Sequence, residues 1–134
     1  MPGYSGTPLP KKLGLKSGFR TFFVGLPAEV LAILHPTLKD CDRSPEAQAP
    51  LDFAMLFSTS SAQLEKEFAR ITKALAPAGM LWVSWPKKSS GVKTDLDENV
   101  VRGIGLKAGL VDVKVCAVTE IWSGLKFVRR VKDR

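Results

Sequence analysis

The chain of 134 residues has the length of one compact domain, and 45% hydrophobic with 25% charged residues is an ordinary globular composition that excludes wholesale disorder. Its net charge of +7 favours phosphate-bearing partners or simply keeps a small domain in solution. Two cysteines, Cys41 and Cys116, are too few for a disulfide framework or a zinc site. No apolar run approaches the roughly 20 residues of a membrane-spanning helix, and the start lacks a secretory signal. We therefore expect a single cytoplasmic domain over residues 1–134.

The first third of the chain predicts one strand and one helix behind an irregular start. Residues 1–17 are rich in Pro, Gly, Ser and Lys, which is typical of an extended arm. The apolar and aromatic run at residues 19–25 predicts a buried strand. Pro27 suits the first turn of a following helix, and Pro36 is expected to end that helix. A weak strand is expected near residues 37–41, before a polar loop.

The middle of the chain carries the clearest pattern. Residues 51–57 predict a continuous buried strand. Apolar side chains then recur every three or four residues, which predicts a helix over about 61–76 with Ser60 as its cap. The Pro-Ala-Gly sequence at 77–79 is expected to be a turn, and residues 80–85 predict another buried strand.

The last third predicts a helix and a hairpin. Thr94 has a hydroxyl that can cap the helix. Gly103 and Gly105 each weaken that helix by about 1 kcal/mol relative to alanine, so tertiary packing must hold it. Residues 110–119 and 121–131 predict two strands joined by a tight turn.

Strands that alternate with helices predict an α/β fold, a Rossmann-like three-layer sandwich. Its sheet is mostly parallel, and the C-terminal hairpin adds an antiparallel strand at one edge. In such sheets, ligands bind outside the carboxyl ends of the strands, where the strand order reverses. This rule selects the turns after Gly25, Phe57 and Trp85 as candidate sites.

Residues 50–131 resemble the second half of a Rossmann-like methyltransferase. Asp52 stands where that superfamily has an acid opening its fourth strand, and residues 75–79 match its Leu-x-Pro-x-Gly turn. The resemblance implies the same fold and, for an authentic member, S-adenosylmethionine as the methyl donor.

The turn after the first predicted strand departs from that superfamily's Gly-x-Gly-x-Gly pattern. Residues 24–28 read Val-Gly-Leu-Pro-Ala, with one glycine and a proline. Pro27 removes an amide donor, and Leu26 adds a side chain where the cofactor would lie. Asp40 or Asp42 is a candidate for the acid that holds the cofactor ribose. Because of the turn, we expect no cofactor to be bound.

A second resemblance spans nearly the whole chain. Residues 4–9 (Tyr-Ser-Gly-Thr-Pro-Leu), 82–88 (Trp-Val-Ser-Trp-Pro-Lys-Lys) and 122–125 (Trp-Ser-Gly-Leu) are similar to a bacterial family known only as domain of unknown function 3052. That resemblance implies a small intracellular bacterial protein, and it supplies no reaction, substrate or catalytic residue.

A candidate ligand site lies in the loop after the strand that ends at Trp85. An aromatic ring, two ammonium groups and hydroxyls there suit a phosphate or carboxylate ligand, and the turn after Phe57 adds hydroxyls and helix amides. The expected ligand-binding residues are Trp85, Lys87, Lys88, Ser89, Ser58, Thr59, Ser60 and Trp122. The alternative is structural, with Trp85 and Trp122 as packing residues, the lysines solvated and the serines as helix caps.

Signals of catalysis and of metal binding are weak. His35 is the single histidine, and nothing in the sequence pairs it with a serine or a cysteine. Cys116 lies within an apolar strand, where packing explains it better than nucleophilic attack. We expect no catalytic residue and no metal ligand.

The main functional expectation is therefore a non-catalytic binding or regulatory domain for a small anionic ligand or a protein partner. One alternative is an S-adenosylmethionine-dependent methyltransferase-like enzyme. The other is a nucleic-acid-binding protein, because basic side chains recur near both ends of the chain. Those side chains are Lys126, Arg129, Arg130, Lys132 and Arg134, with Lys11, Lys12 and Lys16.

Overall fold

The computed structural model describes residues 6–48 and 50–134, which form a six-stranded sheet. The strands are β1 (Arg20–Val24), β2 (Asp42–Arg43), β3 (Leu51–Phe57), β4 (Leu75–Pro86), β5 (Leu110–Ala117) and β6 (Trp122–Arg129). Their spatial order is β2-β1-β3-β4-β6-β5. The pairs among β1, β2, β3 and β4 are parallel, whereas β6 runs antiparallel to both β4 and β5. This confirms the predicted fold class, a mostly parallel α/β sheet with a C-terminal antiparallel hairpin.

Helices cover both faces of the sheet. They are α1 (Leu9–Leu13), α2 (Ala28–Leu38), α3 (Ser61–Ala74) and α4 (Glu98–Lys107), with short 3₁₀ turns at Lys88–Ser90 and Val131–Asp133. Buried side chains of α3 and α4 share one core cluster on the first face, and those of α1 and α2 share another on the second face. Among the described residues, no helix is long and apolar enough to cross a membrane.

The core of the first face explains one glycine of α4. Phe68 of α3 packs edge-on against Phe127 of β6, with ring centroids 5.2 Å apart. A Cβ on Gly105 would overlap the Phe127 ring. The glycine lowers helix propensity, but its missing side chain lets α4 approach the fully buried Phe127 ring, whose burial contributes about 1.5–3 kcal/mol.

The core of the second face ties the start of the chain to the sheet. Trp82 of β4 is fully buried, and its indole N–H donates a hydrogen bond to the carbonyl of Leu13 at 2.8 Å. Residues 1–17 were expected to be an extended arm, and within residues 6–17 that expectation is wrong. Leu9–Leu13 is a helix, because Pro10 fits its first turn and Gly14 closes it with φ = 79°. The remaining part of that prediction lies outside the described residues.

Two further predictions in this half of the chain are wrong. Helix α2 does not stop at Pro36 but continues to Leu38, because Leu38 is buried and the Lys39 amide donates to the carbonyl of His35. The strand expected at residues 37–41 is instead β2, which follows the helix and has only two residues.

The predicted turn at residues 77–79 belongs to β4. Helix α3 ends at Ala74, and β4 pairs at once with β3 through Leu75 and Leu51. The register then jumps, so that Phe53 pairs with Met80 and the intervening residues bulge from the sheet. A Cβ on Gly79 would overlap the Leu51 carbonyl, so the bulge requires a glycine there.

Candidate functional site

Three parallel strands end at one edge of the sheet, which we call the carboxyl edge. Strands β1, β3 and β4 end at Val24, Phe57 and Pro86. Val24 pairs with Leu56 and Phe57 pairs with Ser84, so the three ends lie side by side. The turns that follow them are the candidate site, as the strand-end rule predicts.

The turn after β1 is held close to the end of β3. Gly25 has φ = 68°, and a Cβ built on it would lie 2.9 Å from the Phe57 carbonyl oxygen. Glycine is therefore required there both for its backbone conformation and for the approach of the two strands. Leu26 is half-buried and packs against the second-face core, so its side chain turns towards α2 and the sheet.

Helix α2 begins without a side-chain cap. Its N-cap residue is Pro27, which has no hydrogen-bonding side chain, and the amides of Val30 and Leu31 both donate to the Pro27 carbonyl. In the described part of the chain, the amides of Ala28 and Glu29 have no hydrogen-bond acceptor. The first turn of α2 therefore presents two free donors at the carboxyl edge.

The serines after β3 serve the helix that they precede. The buried Ser58 hydroxyl has two acceptors for its one proton, Gln63 Oε1 at 3.1 Å and the Ser60 carbonyl at 3.0 Å, and it accepts a hydrogen bond from the Ser60 amide. The Ser60 hydroxyl accepts one from the Gln63 amide, so Ser60 is the predicted cap of α3. Thr59 is exposed between them. The hydroxyls of Ser58 and Ser60 are therefore engaged within the turn and the first turn of α3.

The carboxylate of Asp95 closes the start of α3. It accepts hydrogen bonds from the Ser61 amide at 2.8 Å and from the Ser61 hydroxyl at 2.7 Å. These bonds lower the pKa of Asp95 below its ordinary value. The hydroxyl of Thr94 donates to the Thr59 carbonyl at 2.7 Å. The loop after β4 is thus fastened to the turn after β3.

Two predictions about these turns are wrong because of the contacts between them. Thr94 was expected to cap α4, but the cap is Asp97, whose carboxylate accepts a hydrogen bond from the Val100 amide at 2.8 Å. The α3 amides were expected to face a ligand, but the Ser61 amide is taken by the chain's own carboxylate. The sequence did not indicate Asp95 as the partner, because the two residues lie 34 positions apart.

The loop after β4 holds the remaining predicted residues. Trp85 is buried in the first-face core, with 5% of its surface exposed. The amide of Lys87 donates to the Ile121 carbonyl at 2.8 Å, while the side chains of Lys88 and Ser89 are exposed. A depression of about 410 Å³ lies against Lys88 and is otherwise lined by residues 91–97.

Trp122 lies on the other face of the sheet from Trp85. It is half-buried and packs edge-on against Phe57, with ring centroids 5.2 Å apart.

Ser84, near the end of β4, has a fully buried hydroxyl with no hydrogen-bond partner among the described residues, which the sequence did not indicate. The structure therefore groups Ser58, Thr59 and Ser60 in one turn and separates the two tryptophans.

The two acids proposed for the ribose position lie at the opposite edge. Asp42 begins β2 and pairs in register with Arg20, the first residue of β1, with 3.9 Å between its carboxylate and the Arg20 Nε. The carbonyl of Asp40 accepts a hydrogen bond from the Gly18 amide, just before β1. The expectation that either acid follows the second strand beside a cofactor is wrong.

Other carboxylates reach the carboxyl edge instead. Glu29 lies in the first turn of α2, and Glu120 lies in the turn between β5 and β6. With Ile33, Thr119 and Ile121 they line a depression of about 380 Å³. Carboxylates attract cations, so this depression suits a ligand that carries positive charge. The signal in the sequence was an acid four residues after Gly25.

Comparisons with known proteins point to one fold. No protein-family model and no curated protein matches the chain. The magnesium protoporphyrin IX methyltransferase (ChlM) from Synechocystis PCC 6803 with bound SAH has a TM-score of 0.61 and 11% identity, over 90% of this chain and 78% of that one. An O-methyltransferase (NcsB1) from neocarzinostatin biosynthesis has a TM-score of 0.63 and 10% identity, over 83% of this chain and 49% of that one.

A further similar structure is the LepI complex with SAM, with a TM-score of 0.57 and 11% identity, over 92% of this chain and 47% of that one. The chain thus spans about half the length of two of these three proteins. These neighbours contradict the main functional expectation, a non-catalytic binding or regulatory domain. At such low identity they establish the fold, which is the Rossmann-like fold of S-adenosylmethionine-dependent methyltransferases.

Proposed function

We propose that this chain is an S-adenosylmethionine-dependent methyltransferase-like protein that holds its cofactor at the carboxyl edge, beside the turn after β1. The observation that carries the proposal is the open start of α2 after Gly25, in a fold shared with proteins crystallised with SAM or SAH. When bound, the cofactor supplies a methyl group from a cationic sulfur to a nucleophile.

The residues at this edge suit the amino-acid end of the cofactor. The free amides of Ala28 and Glu29, at the positive end of the helix dipole, can donate hydrogen bonds to a carboxylate. The carboxylates of Glu29 and Glu120 line the neighbouring depression, where they favour an ammonium or sulfonium cation. SAM has both kinds of group, a carboxylate for the free amides and ammonium and sulfonium cations for the two glutamates.

The residues suit the nucleoside end less well. The acids near β2 lie at the opposite edge, so neither reaches the ribose hydroxyls. A hydrogen bond to a charged group contributes about 1.5–3 kcal/mol, so we expect binding roughly ten- to a hundredfold weaker than in a protein with that acid. Leu26 and Pro27 also limit the contact between the cofactor and the turn after β1, so that the first turn of α2 provides most of it.

Titration calorimetry with SAM and SAH tests the proposal. Ala28→Trp places a bulky ring at the exposed start of α2 and should abolish binding. Ala32→Trp adds the same ring to an exposed position one turn further along α2 and should leave binding unchanged. Saturation at about a hundred times the dissociation constant should raise the thermal midpoint by roughly 5–15 °C. Absence of heat with both compounds, or equal loss in both variants, would contradict the proposal.

We further propose that the chain belongs to domain of unknown function 3052 and acts in the cytoplasm as a single domain. Because no family model matches, the family assignment is supported only by the motifs at residues 4–9, 82–88 and 122–125. An alignment of homologues tests it, since membership requires these motifs to recur together.

A further inference from the structure

A cluster of three lysines lies where β5, β6 and α1 meet. Lys114 and Lys126 are direct partners across β5 and β6, and Lys126 is also the register partner of Trp82 in β4. Direct partners in antiparallel strands project their side chains from the same face. Because Trp82 hydrogen-bonds to α1 on the second face, both lysines lie on that face as well. We call Lys12, Lys114 and Lys126 the lysine platform.

Helix α1 brings the third ammonium group to this platform. Lys12 Nζ donates to the Ala117 carbonyl at 3.3 Å, and Lys114 Nζ donates to the Lys12 carbonyl at 3.2 Å. A Cβ built on Gly14 would lie 4.0 Å from Lys126 Nζ. Three positive charges therefore gather around the last turn of one short helix.

Two lysines of the platform, Lys114 and Lys126, hold charge that the described chain does not neutralise. In residues 6–48 and 50–134, neither Lys114 nor Lys126 forms an ion pair with a carboxylate. Lys126 is half-buried, and burial together with the charge of Lys114 lowers the pKa of its ammonium group. Like charges on directly paired strands repel each other, so an external anion would relieve an existing cost.

The positive surface continues beyond the platform across α1. Gly14 borders a depression of about 570 Å³ that is also lined by the exposed residues Lys11 and Lys16. The other lining residues are Pro8, Pro10, Leu15, Ser17, Ile33, Pro36 and Thr37, none of which is acidic. Five lysines thus form a band from the outer strand β5 to α2. A single phosphate would contact one part of this band, whereas a chain of phosphates would contact all of it.

We propose that this band binds the phosphate backbone of a nucleic acid, with the lysine platform as its centre. The inference is independent of the proposed cofactor site, which lies at the carboxyl edge between α2 and the turn after β1. It also revises which basic residues the nucleic-acid alternative would use. Arg129 donates to the carbonyls of Thr72 and Leu75 at the end of α3, and Arg134 donates to the Arg129 carbonyl, so both guanidinium groups serve the protein itself.

The test is fluorescence anisotropy with a labelled single-stranded RNA and its DNA counterpart, between about 50 and 200 mM salt. The variant Lys114→Gln/Lys126→Gln removes two charges but keeps hydrogen-bond donors. The matched control Lys73→Gln/Lys107→Gln removes the same charge from exposed positions of α3 and α4 on the first face. We expect the platform variant to weaken binding about tenfold and to reduce the salt dependence, because each lost phosphate contact lowers the slope by about 0.7.

Several outcomes would overturn the proposal. Equal weakening in both double variants would mean that net charge alone attracts the oligonucleotide. Binding to phosphatidylserine vesicles without binding to RNA or DNA would assign the band to a membrane surface. Complete displacement of the oligonucleotide by inorganic phosphate at the same concentration would show that the band binds a small ligand. A thermal midpoint at or above that of the parent protein confirms that the platform variant is folded.

Discussion

Helices α2 and α3 both begin at the carboxyl edge, and they begin in opposite ways. The start of α3 is closed by the Ser60 hydroxyl and by the Asp95 carboxylate from a distant loop. The start of α2 follows Pro27, which offers no cap. The two helices therefore differ in whether the amides of their first turn are hydrogen-bonded by side chains of the protein. The difference places the capacity for an external anion at α2.

The largest effect should come from the glycine that positions the open start. Gly25→Ala places a Cβ 2.9 Å from the Phe57 carbonyl in a left-handed conformation, and we expect the free energy of unfolding to fall by about 3 kcal/mol. Gly18→Ala has a similar positive φ but nothing within 4 Å, so it should cost about 1–2 kcal/mol. Urea denaturation measures both. Equal losses would show that the approach of β1 to β3 is not tight.

A side-chain cap added at the start of α2 should occupy its free amides, as the cap of α3 does at the start of that helix. Pro27→Asp adds a carboxylate that can accept from the first-turn amides, and it should weaken SAH binding about tenfold by occupying the same donors. Calorimetry measures the affinity. Pro27→Asn, which caps without a charge, should have a smaller effect. Unchanged affinity in Pro27→Asp would remove the α2 amides from the cofactor site.

Removing the cap of α3 should lower the stability of the protein without changing its affinity for SAH. Ser60→Ala removes the hydroxyl that accepts from the Gln63 amide and should lower the free energy of unfolding by about 1 kcal/mol. SAH affinity should stay at the parent value, because the proposed cofactor site is at α2. A change in affinity together with stability would show that both helix starts belong to one site.

The smallest effect should come from Asp95 and should depend on pH. Hydrogen bonds from Ser61 lower its pKa from 3.8, so the ionised carboxylate stabilises the fold. That contribution is complete above the unfolded pKa and is lost as pH falls through the lower, folded value. Asp95→Asn should therefore destabilise the protein at neutral pH, and its difference from the parent should shrink near pH 3. Urea denaturation at both pH values measures this, and a constant difference would contradict it.

The sequence predicted the elements whose signals are local. Residues 51–57 and the helix after Ser60 carry long apolar patterns, and the structure places β3 and α3 there. Helix α1 was not predicted, because five residues are too few to show a helical pattern. The indole of Trp82, far along the chain, stabilises it through a hydrogen bond to Leu13. Strand β2 is two residues long, and no periodicity can be read from so few.

The sequence indicated which turns come together at the candidate site better than it indicated their contacts. The strand-end rule selected three turns that the structure places side by side, and the glycine after β1 was visible in the sequence. The competition for the α3 amides was not visible, because Asp95 meets Ser61 only after β4 and α3 have packed. The meeting of Lys114 with Lys126 likewise depends on strand register, including a bulge after Asp112 that the alternation of side chains does not reveal.

The order of the strands has a consequence for synthesis on the ribosome. Strand β6 lies between β4 and β5, although it follows both in the chain. Until Trp122–Arg129 has emerged, the long strand β4 keeps one open edge and β5 has no neighbour to join. A nascent chain halted before residue 122 would expose that edge to other chains. The arrival of β6 is the event that seals the sheet, so aggregation of stalled chains should drop abruptly once it is translated.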